Sequence, residues 1–334
     1  MTGILISGTI AIDIIMRTDQ AFRDVIGASS SGSMNVAVSV AARDRRWGGA
    51  GANIAYNLAI LGETPILVAT VGDDFGEYAE WLDRNGISRE YVYPVVGEST
   101  AVCFITTDSE QEQFTVFHPG AMARAYEIPV AVVSRACAAA IVAPNAPRAM
   151  LEHAAELKRT DLPIVVDPGQ MVPEFSRVDL RRLIDGATLL IANESEMDLV
   201  HARTGWPSAA VLERVGVVIT TKGAGGSDLV QGARTDLVEL ERPSVRVPAV
   251  PPVALIDPTG CGDAYRAGVL QALARRLPLV FGARVGALLA SLNVAEQGAQ
   301  AIRVGRSEIR RRIEEMFPEA VLAERGRSET TVSG

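Results

Sequence analysis

The stretch DPTGCGDAYRAG, residues 257–268, sets three glycines and a cysteine around one acid, Asp263, directly ahead of a helical pattern. A turn through Gly260, Cys261 and Gly262 into a helix leaves backbone N–H groups without intrahelical acceptors, aligned with the positive end of the helix dipole. Such a place holds anions, and glycines let an oxyanion come close to the backbone. A carboxylate beside it can take a proton from an attacking hydroxyl. Together these parts suit transfer of a phosphoryl group to an alcohol, which depends on positioning and electrostatics. Read alone, the same residues would also serve as a tight turn with Asp263 capping a helix.

A second glycine stretch, WGGAGANIAYNLAILG (47–62), bears on the choice. It departs from the dinucleotide fingerprint, because GxGxxG read from Gly49 puts Ile54 where the third glycine belongs. It is not a Walker A sequence either, since Lys222 precedes its glycines. It resembles the first signature of the ribokinase-like (PfkB) carbohydrate kinase family, with Gly48, Gly49, Gly51, Asn53, Ala55, Gly62 and Gly72 in the family's spacing. Residues 257–268 resemble the second signature, except that Cys261 stands where the family has a small Ala or Gly; its contribution there is a backbone N–H.

The resemblance runs over residues 4 to 316 and includes two further motifs in the expected order. NESE (193–196) matches the family's NxxE, which implies that Asn193 and Glu196 organise Mg²⁺ and the phosphate waters. TKGAGG (221–226) resembles the segment lining the ATP site, through Thr221, Gly223 and Gly226. Plainer alternatives exist: Asn193 and Glu196 are also residues that open a helix, and 221–226 also reads as a hairpin turn.

The resemblance implies that Asp13, in SGTIAIDIIMR (7–17), holds sugar hydroxyls together with Thr9, Gly49 and Asn53. Pro258 and Tyr265-Arg266, FHPGAM (117–122), TGW (204–206), VGDDFGEY (71–78) and DPGQ (167–170) are similar to the bacterial, ribokinase-like adenosine kinases. The expected reaction is therefore transfer of the γ-phosphoryl of MgATP to the 5′-hydroxyl of a nucleoside, adenosine the favoured substrate. Asp263 would orient or deprotonate that hydroxyl, remaining ionised at neutral pH beside the helix N-terminus. The ATP adenine would lie near Asn293, and a monovalent cation (K⁺) near Asp257. Phe117 would stack on the nucleoside base. Phe104 is a second candidate, although only one parity of 101–107 can face a pocket. Cys103 stands where those adenosine kinases carry an aromatic residue, which leaves the base open. The alternatives are a sugar kinase acting on ribose or fructose, and a ligand-binding regulator without chemistry.

Positioning these residues takes a sheet. Short apolar runs at 4–7, 65–70, 138–143, 163–167, 188–192 and 216–220 alternate with helical patterns such as 52–62 and 75–86, each stopped by a glycine. The fold class is α/β: a ribokinase-like, mostly parallel central sheet flanked by helices, with a small β-rich lid. Segments 33–42 and 101–118 alternate like exposed antiparallel strands, the second turning near 109–112. One kinase domain is expected over 1–323, with the lid (about 14–46 and 97–118) inserted in it and a disordered tail at 324–334. The lid would close over the acceptor to exclude water and pair two copies into a homodimer.

Composition excludes other classes. The 334-residue chain carries a net charge of −8, and Lys158 and Lys222 are its only lysines, which argues against a phosphate-coating nucleic-acid binder. Cys103, Cys137 and Cys261 are scattered without metal-ligand spacing. No run approaches the ~18–20 apolar residues of a membrane span. A soluble cytoplasmic protein is expected.

Overall fold

The structure, a computed structural model, describes residues 2–27, 37–110 and 112–318. In chain order the strands are β1 (Gly3–Ser7), β2 (Ala11–Arg17), β3 (Ala42–Gly48), β4 (Pro65–Val71), β5 (Val92–Pro94), β6 (Ala101–Thr107), β7 (Gln113–His118), β8 (Cys137–Val142), β9 (Ile164–Val166), β10 (Leu189–Asn193), β11 (Val217–Thr221), β12 (Ser227–Gln231) and β13 (Ser244–Val247). The helices are α1 (Phe22–Gly27), α2 (Ala50–Leu61), α3 (Gly76–Arg84), α4 (Val130–Val133), α5 (Pro147–Leu157), α6 (Arg177–Ile184), α7 (Glu194–Thr204), α8 (Ser208–Leu212), α9 (Cys261–Arg275), α10 (Leu279–Val294) and α11 (Arg306–Met316).

The main sheet runs β13-β12-β11-β10-β9-β8-β1-β4-β5. Pairing is parallel from β5 through β11, and β12 and β13 add on antiparallel at one edge. Its central strands are apolar at nearly every position, up to their carboxyl ends, because both faces are covered. Ile4 and Ile6 of β1 join one core cluster with Ile54 and Leu58 of α2 and Val269 of α9, while Leu5 joins the opposite cluster with Met150 of α5 and Leu180 of α6. The same split separates Leu189 and Ile191 from Leu190 and Ala192 in β10. Such strands read as continuous apolar runs, the signal the sequence carries.

A separate four-stranded sheet has the order β3-β2-β6-β7. The hairpin expected over 101–118 is present as β6 and β7, with Val102 opposite His118 and Thr107 opposite Gln113. The strand expected over 33–42 is displaced. Residues 33–36 lie outside the described residues, 37–41 form no strand, and β3 is the charged run ARDRRWG. Its partner fixes that register: Ala11–Arg17 of β2 pairs antiparallel with Gly48–Ala42, and an exposed strand needs no apolar alternation to complete its ladder. The tail at 324–334 also lies outside the described residues. Among the described residues no helix is long and apolar enough to cross a membrane.

Helices α9 and α10 pack closely on the α2 side of the sheet. A Cβ at Gly268 would stand 2.3 Å from the Gly286 nitrogen and 2.6 Å from the Gly282 oxygen, so the helix backbones touch there. Gly268→Ala should therefore lower stability by about 1–3 kcal/mol despite the better helix propensity of alanine. A lower urea midpoint at unchanged m-value is the expected result; a raised midpoint would mean that the two helices stand further apart.

Candidate active site

The site lies at the carboxyl ends of the parallel strands, where open α/β sheets bind ligands. There β9 leads to Asp167, β10 ends at Asn193, β11 ends at Thr221, and α9 begins at Cys261. Pro258 to Cys261 forms a type II turn: Gly260 has φ 79 and ψ −2, and the Cys261 N–H donates to the Pro258 carbonyl at 3.2 Å. A Cβ on Gly260 would also stand 2.3 Å from that of Ala299. This turn corrects the expected donor set. The Cys261 N–H is spent inside the turn, whereas those of Gly260, Gly262 and Asp263 have no acceptor among the described residues. The N–H groups left without an acceptor at the α9 N-terminus, among the described residues, are thus those of residues 260, 262 and 263.

Asp257 secures the approach to this turn, accepting from Thr259 N–H and Gly298 N–H at 2.9 Å each. Asn293, expected beside adenine, is fully buried behind the turn. Its Nδ2 donates to the Thr259 carbonyl at 2.7 Å and approaches Cys261 Sγ at 3.6 Å, so the amide nitrogen braces the turn, while Oδ1 is buried without a partner among the described residues.

Asp263 is half-buried and held from α2: Asn53 Nδ2 donates to its Oδ2 at 2.9 Å. Asn53 is fixed in turn, because Gln300 Nε2 donates to Asn53 Oδ1 at 2.9 Å and to Tyr78 Oη at 2.6 Å. Trp81 Nε1 donates to Gln300 Oε1 at 2.9 Å, and the Tyr78 hydroxyl donates to the Gly48 carbonyl at 2.7 Å. Sequence reading missed Gln300 and Trp81, which lie in no motif, and gave no role to Tyr78, the last residue of VGDDFGEY. Burial pushes the Asp263 carboxyl up from its ordinary value, opposed by the Arg266 charge and the Asn53 hydrogen bond. The helix N-terminus, on which the sequence argument relied, does not decide the direction.

Asp13 lies within β2, on the small sheet. Its neighbours in register are Arg46 of β3 and Cys103 of β6, and Cys103 faces Phe117 of β7. Residues in direct register share a face, so Asp13, Cys103 and Phe117 form one row. Phe104 pairs with Val116 on the opposite face, which removes it as a pocket candidate. Gly49 has φ 89, and a Cβ there would meet Ala11 N and Thr9 O at 2.5 Å, so only glycine lets the α2 N-terminus approach this strand. Thr9 spends its hydroxyl proton on the Pro144 carbonyl at 2.6 Å and braces the loop.

Asn193 and Glu196 form a reciprocal capping box on α7, with Asn193 Oδ1 accepting from Glu196 N–H and Glu196 Oε2 from Asn193 N–H, both at 2.8 Å. The helix-opening role is therefore real, and it leaves Glu196 Oε1 and Asn193 Nδ2 free. Residues 221–226 do make a hairpin turn, joining β11 to β12, with Lys222 N–H on the Gly226 carbonyl at 2.8 Å. Gly223 faces open space at its tip. No group of three or more His, Cys, Asp or Glu side chains among the described residues could hold a metal by itself.

Residues 5–304 match the pfkB family of carbohydrate kinases. A nucleoside kinase of Methanothermobacter thermautotrophicus is 31% identical over 296 residues, covering 86% of this chain and 91% of that protein. The solved structure of Burkholderia thailandensis nucleoside kinase in complex with inosine superposes with a TM-score of 0.83 at 35% identity, covering 95% of this chain and 98% of that one. The ribokinase of Bacillus subtilis is 26% identical over 315 residues, covering 92% of this chain and 98% of its own length. The family match and the nucleoside kinase relatives mark the chain as a phosphotransferase that acts on a hydroxyl. The chain belongs to the pfkB carbohydrate kinase family.

Burial, then the charges of Asp257 and Asp263, push the Asp13 carboxyl from 3.8 up to about 7. The folded chain thus binds this proton more tightly than the unfolded chain. Asp13 then costs stability progressively as pH rises across that window, up to a plateau above it. Asp13→Asn should raise the melting temperature more at pH 8 than at pH 5. An equal gain at both values would mean that Asp13 does not titrate between them.

Proposed function

We propose that the chain transfers the γ-phosphoryl of MgATP to the ribose 5′-hydroxyl of a purine nucleoside, adenosine or inosine. The observation that carries this reading is Asp263, held by Asn53 beside the three unspent N–H groups of the α9 N-terminus. Asp263 takes the hydroxyl proton as the acceptor oxygen attacks, and the donors at 260, 262 and 263 stabilise the transferring phosphoryl. Its raised pKa makes it a stronger base than an exposed carboxylate, and turnover should rise with pH as it ionises.

Asp13 faces the ribose diol as an acceptor, with Asn53 and the backbone at Gly49 beside it. Phe117, in the same row and 44% exposed, gives the base an aromatic wall. Cys103 next to it adds no second ring, so a flat purine is accepted without selection for adenine. The inosine complex of the Burkholderia thailandensis enzyme favours the same breadth. ATP would lie along 221–226, whose open Gly223 leaves room. The free oxygen of Glu196 and the free amide of Asn193 suit a Mg²⁺ held through water and phosphate oxygens, as that ion prefers. When bound, the ion supplies charge neutralisation. A K⁺ near Asp257 would be held by backbone carbonyls and by the lone pair that each carboxylate oxygen keeps beside the one N–H it accepts.

The small sheet acts as a lid that closes over the acceptor and keeps water from the phosphoryl group. Its outer face carries Phe104, Phe114 and Val116, each 39% exposed or more, along the open edge strand β7. A second copy covers that face in a homodimer, and sedimentation at micromolar concentration should give twice the chain mass. Three free cysteines accord with a cytoplasmic setting.

Coupled ADP release with adenosine, inosine, guanosine, cytidine, ribose and fructose tests the acceptor. Turnover on the purine nucleosides is expected, and turnover on a free sugar alone would make the chain a sugar kinase. Asp263→Asn should lower kcat by about 10²–10⁴-fold with KM little changed. Near-normal turnover in that variant would remove Asp263 from the chemistry, and no turnover by the wild type on any acceptor would favour a regulator.

A further inference from the structure

Arg266 follows Asp263 by one helical turn, and its side chain runs back along α9 toward the N-terminus. It is 7% exposed, and Asp167, after β9, is 1% exposed. Arg266 Nη2 donates to Asp167 Oδ1 at 2.8 Å, and Nε pairs with Oδ2 in the same fork. The remaining nitrogen, Nη1, has no protein partner among the described residues. A Cβ on Gly262 would stand 2.6 Å from it. Gly262 is absent from the positive-φ glycines, so its backbone does not require glycine; the space above it does, because the guanidinium fills it.

A buried cation with one unspent donor edge lies, then, against Gly262, a residue whose own N–H is one of the three without an acceptor at the α9 N-terminus. Leaving a charged donor unpaired in a half-dry cleft is costly, and an anion there would remove the cost. The carboxylates of Asp263 and Glu196 are near enough to act on the guanidinium, but neither bonds to it.

We propose that Arg266 is a further catalytic residue of the phosphoryl transfer, its Nη1 donating to an oxygen of the transferring group while Asp167 fixes the fork. This rests on the assignment of Asp263 and the anion site above. The bond from the acceptor oxygen to phosphorus forms as the bond to the leaving oxygen breaks, and the hydroxyl proton passes to Asp263. Arg266 stays protonated throughout. Its charge also opposes the effect of burial on Asp263, so one guanidinium serves both the base and the group being moved.

The test separates this role from that of a structural ion pair. Replacing both partners of a buried pair by apolar side chains is often tolerated, whereas removing one leaves a charge unpaired. Arg266→Met/Asp167→Leu should melt near the wild-type temperature and bind ADP within about threefold of wild type, with kcat lowered about 10²–10³-fold, the effect of losing one oxyanion donor. Calorimetry adds a second readout: aluminium fluoride should tighten ADP binding in the presence of nucleoside for the wild type and fail to do so for the double variant. Wild-type kcat and an undiminished fluoride effect would overturn the proposal.

Arg266→Lys covers the case in which the double variant does not fold. It keeps the charge beside Asp167 but loses the free edge, so kcat should again fall with ADP binding retained; unchanged kcat would overturn the role. Asp263→Asn run alongside distinguishes the two layers of argument. If that variant is dead and the Arg266 variants are active, only the arginine's role fails. If it is as active as the wild type, the site assignment itself fails.

Discussion

The site depends on keeping one carboxylate usable inside a protein cleft. Burial drives Asp263 toward its neutral form, and two features resist this: the Asn53 amide on Oδ2 and the Arg266 charge one turn away. Neither could be spared cheaply, since a base that is neutral at working pH accepts no proton. The rest of the architecture holds those two features still. Asn53 sits in the first turn of α2, whose start is pressed against β2 by the glycine at 49, and Arg266 is clamped by Asp167 at the carboxyl end of β9, the middle strand of the main sheet.

The hydrogen-bonded chain behind Asn53 extends this to the hinge of the small sheet. Gln300 bridges Asn53 to Tyr78 and Trp81 of α3, and Tyr78 reaches the carbonyl of Gly48, where β3 ends. Trp47 stacks on Tyr78 with ring centroids 4.6 Å apart, fixing the same corner by packing. A displacement of the small sheet is therefore felt at Asp263 through side chains that touch no ligand. Each bond in the chain is modest alone, but an unmade one among buried partners carries the full desolvation cost.

Much of this was legible in the sequence, and the reasons it stopped where it did are physical. Strands buried on both faces, such as LLIAN in β10, are apolar up to the exposed carboxyl end and stand out; ARDRRWG in β3 is exposed and has no such need. Asp263, Asn53 and Asp13 are visible because phosphoryl and hydroxyl chemistry restricts residue type and spacing. The exchange of the Cys261 N–H for that of Asp263 was not visible, because it follows from the φ and ψ of Gly260 rather than from any residue's identity. Asn293 was placed by its position in the chain, and only the helix's rotation shows that its amide turns inward. Asp167 and Arg266 were each noticed in a separate motif, but they stand 99 positions apart and nothing local announces that they pair.

The charges also divide the cleft into two unlike halves. Asp13, Asp257 and Asp263 crowd negative charge on the acceptor side, which adds to burial in pushing Asp13 up to about 7. The α9 N-terminus and the free edge of Arg266 supply donors on the other side. On the proposed reading this asymmetry selects substrates by sign before any base is recognised. A neutral diol relieves the crowding by donating to Asp13, whereas an acceptor that is already phosphorylated brings more negative charge to these carboxylates, which Arg46, in register with Asp13, only partly offsets. The same repulsion acts on the product, whose new phosphate must leave the side it was made on. Recognition and release thus follow from one distribution of charge, in which the carboxylate that takes the proton is itself a member of the repelling set.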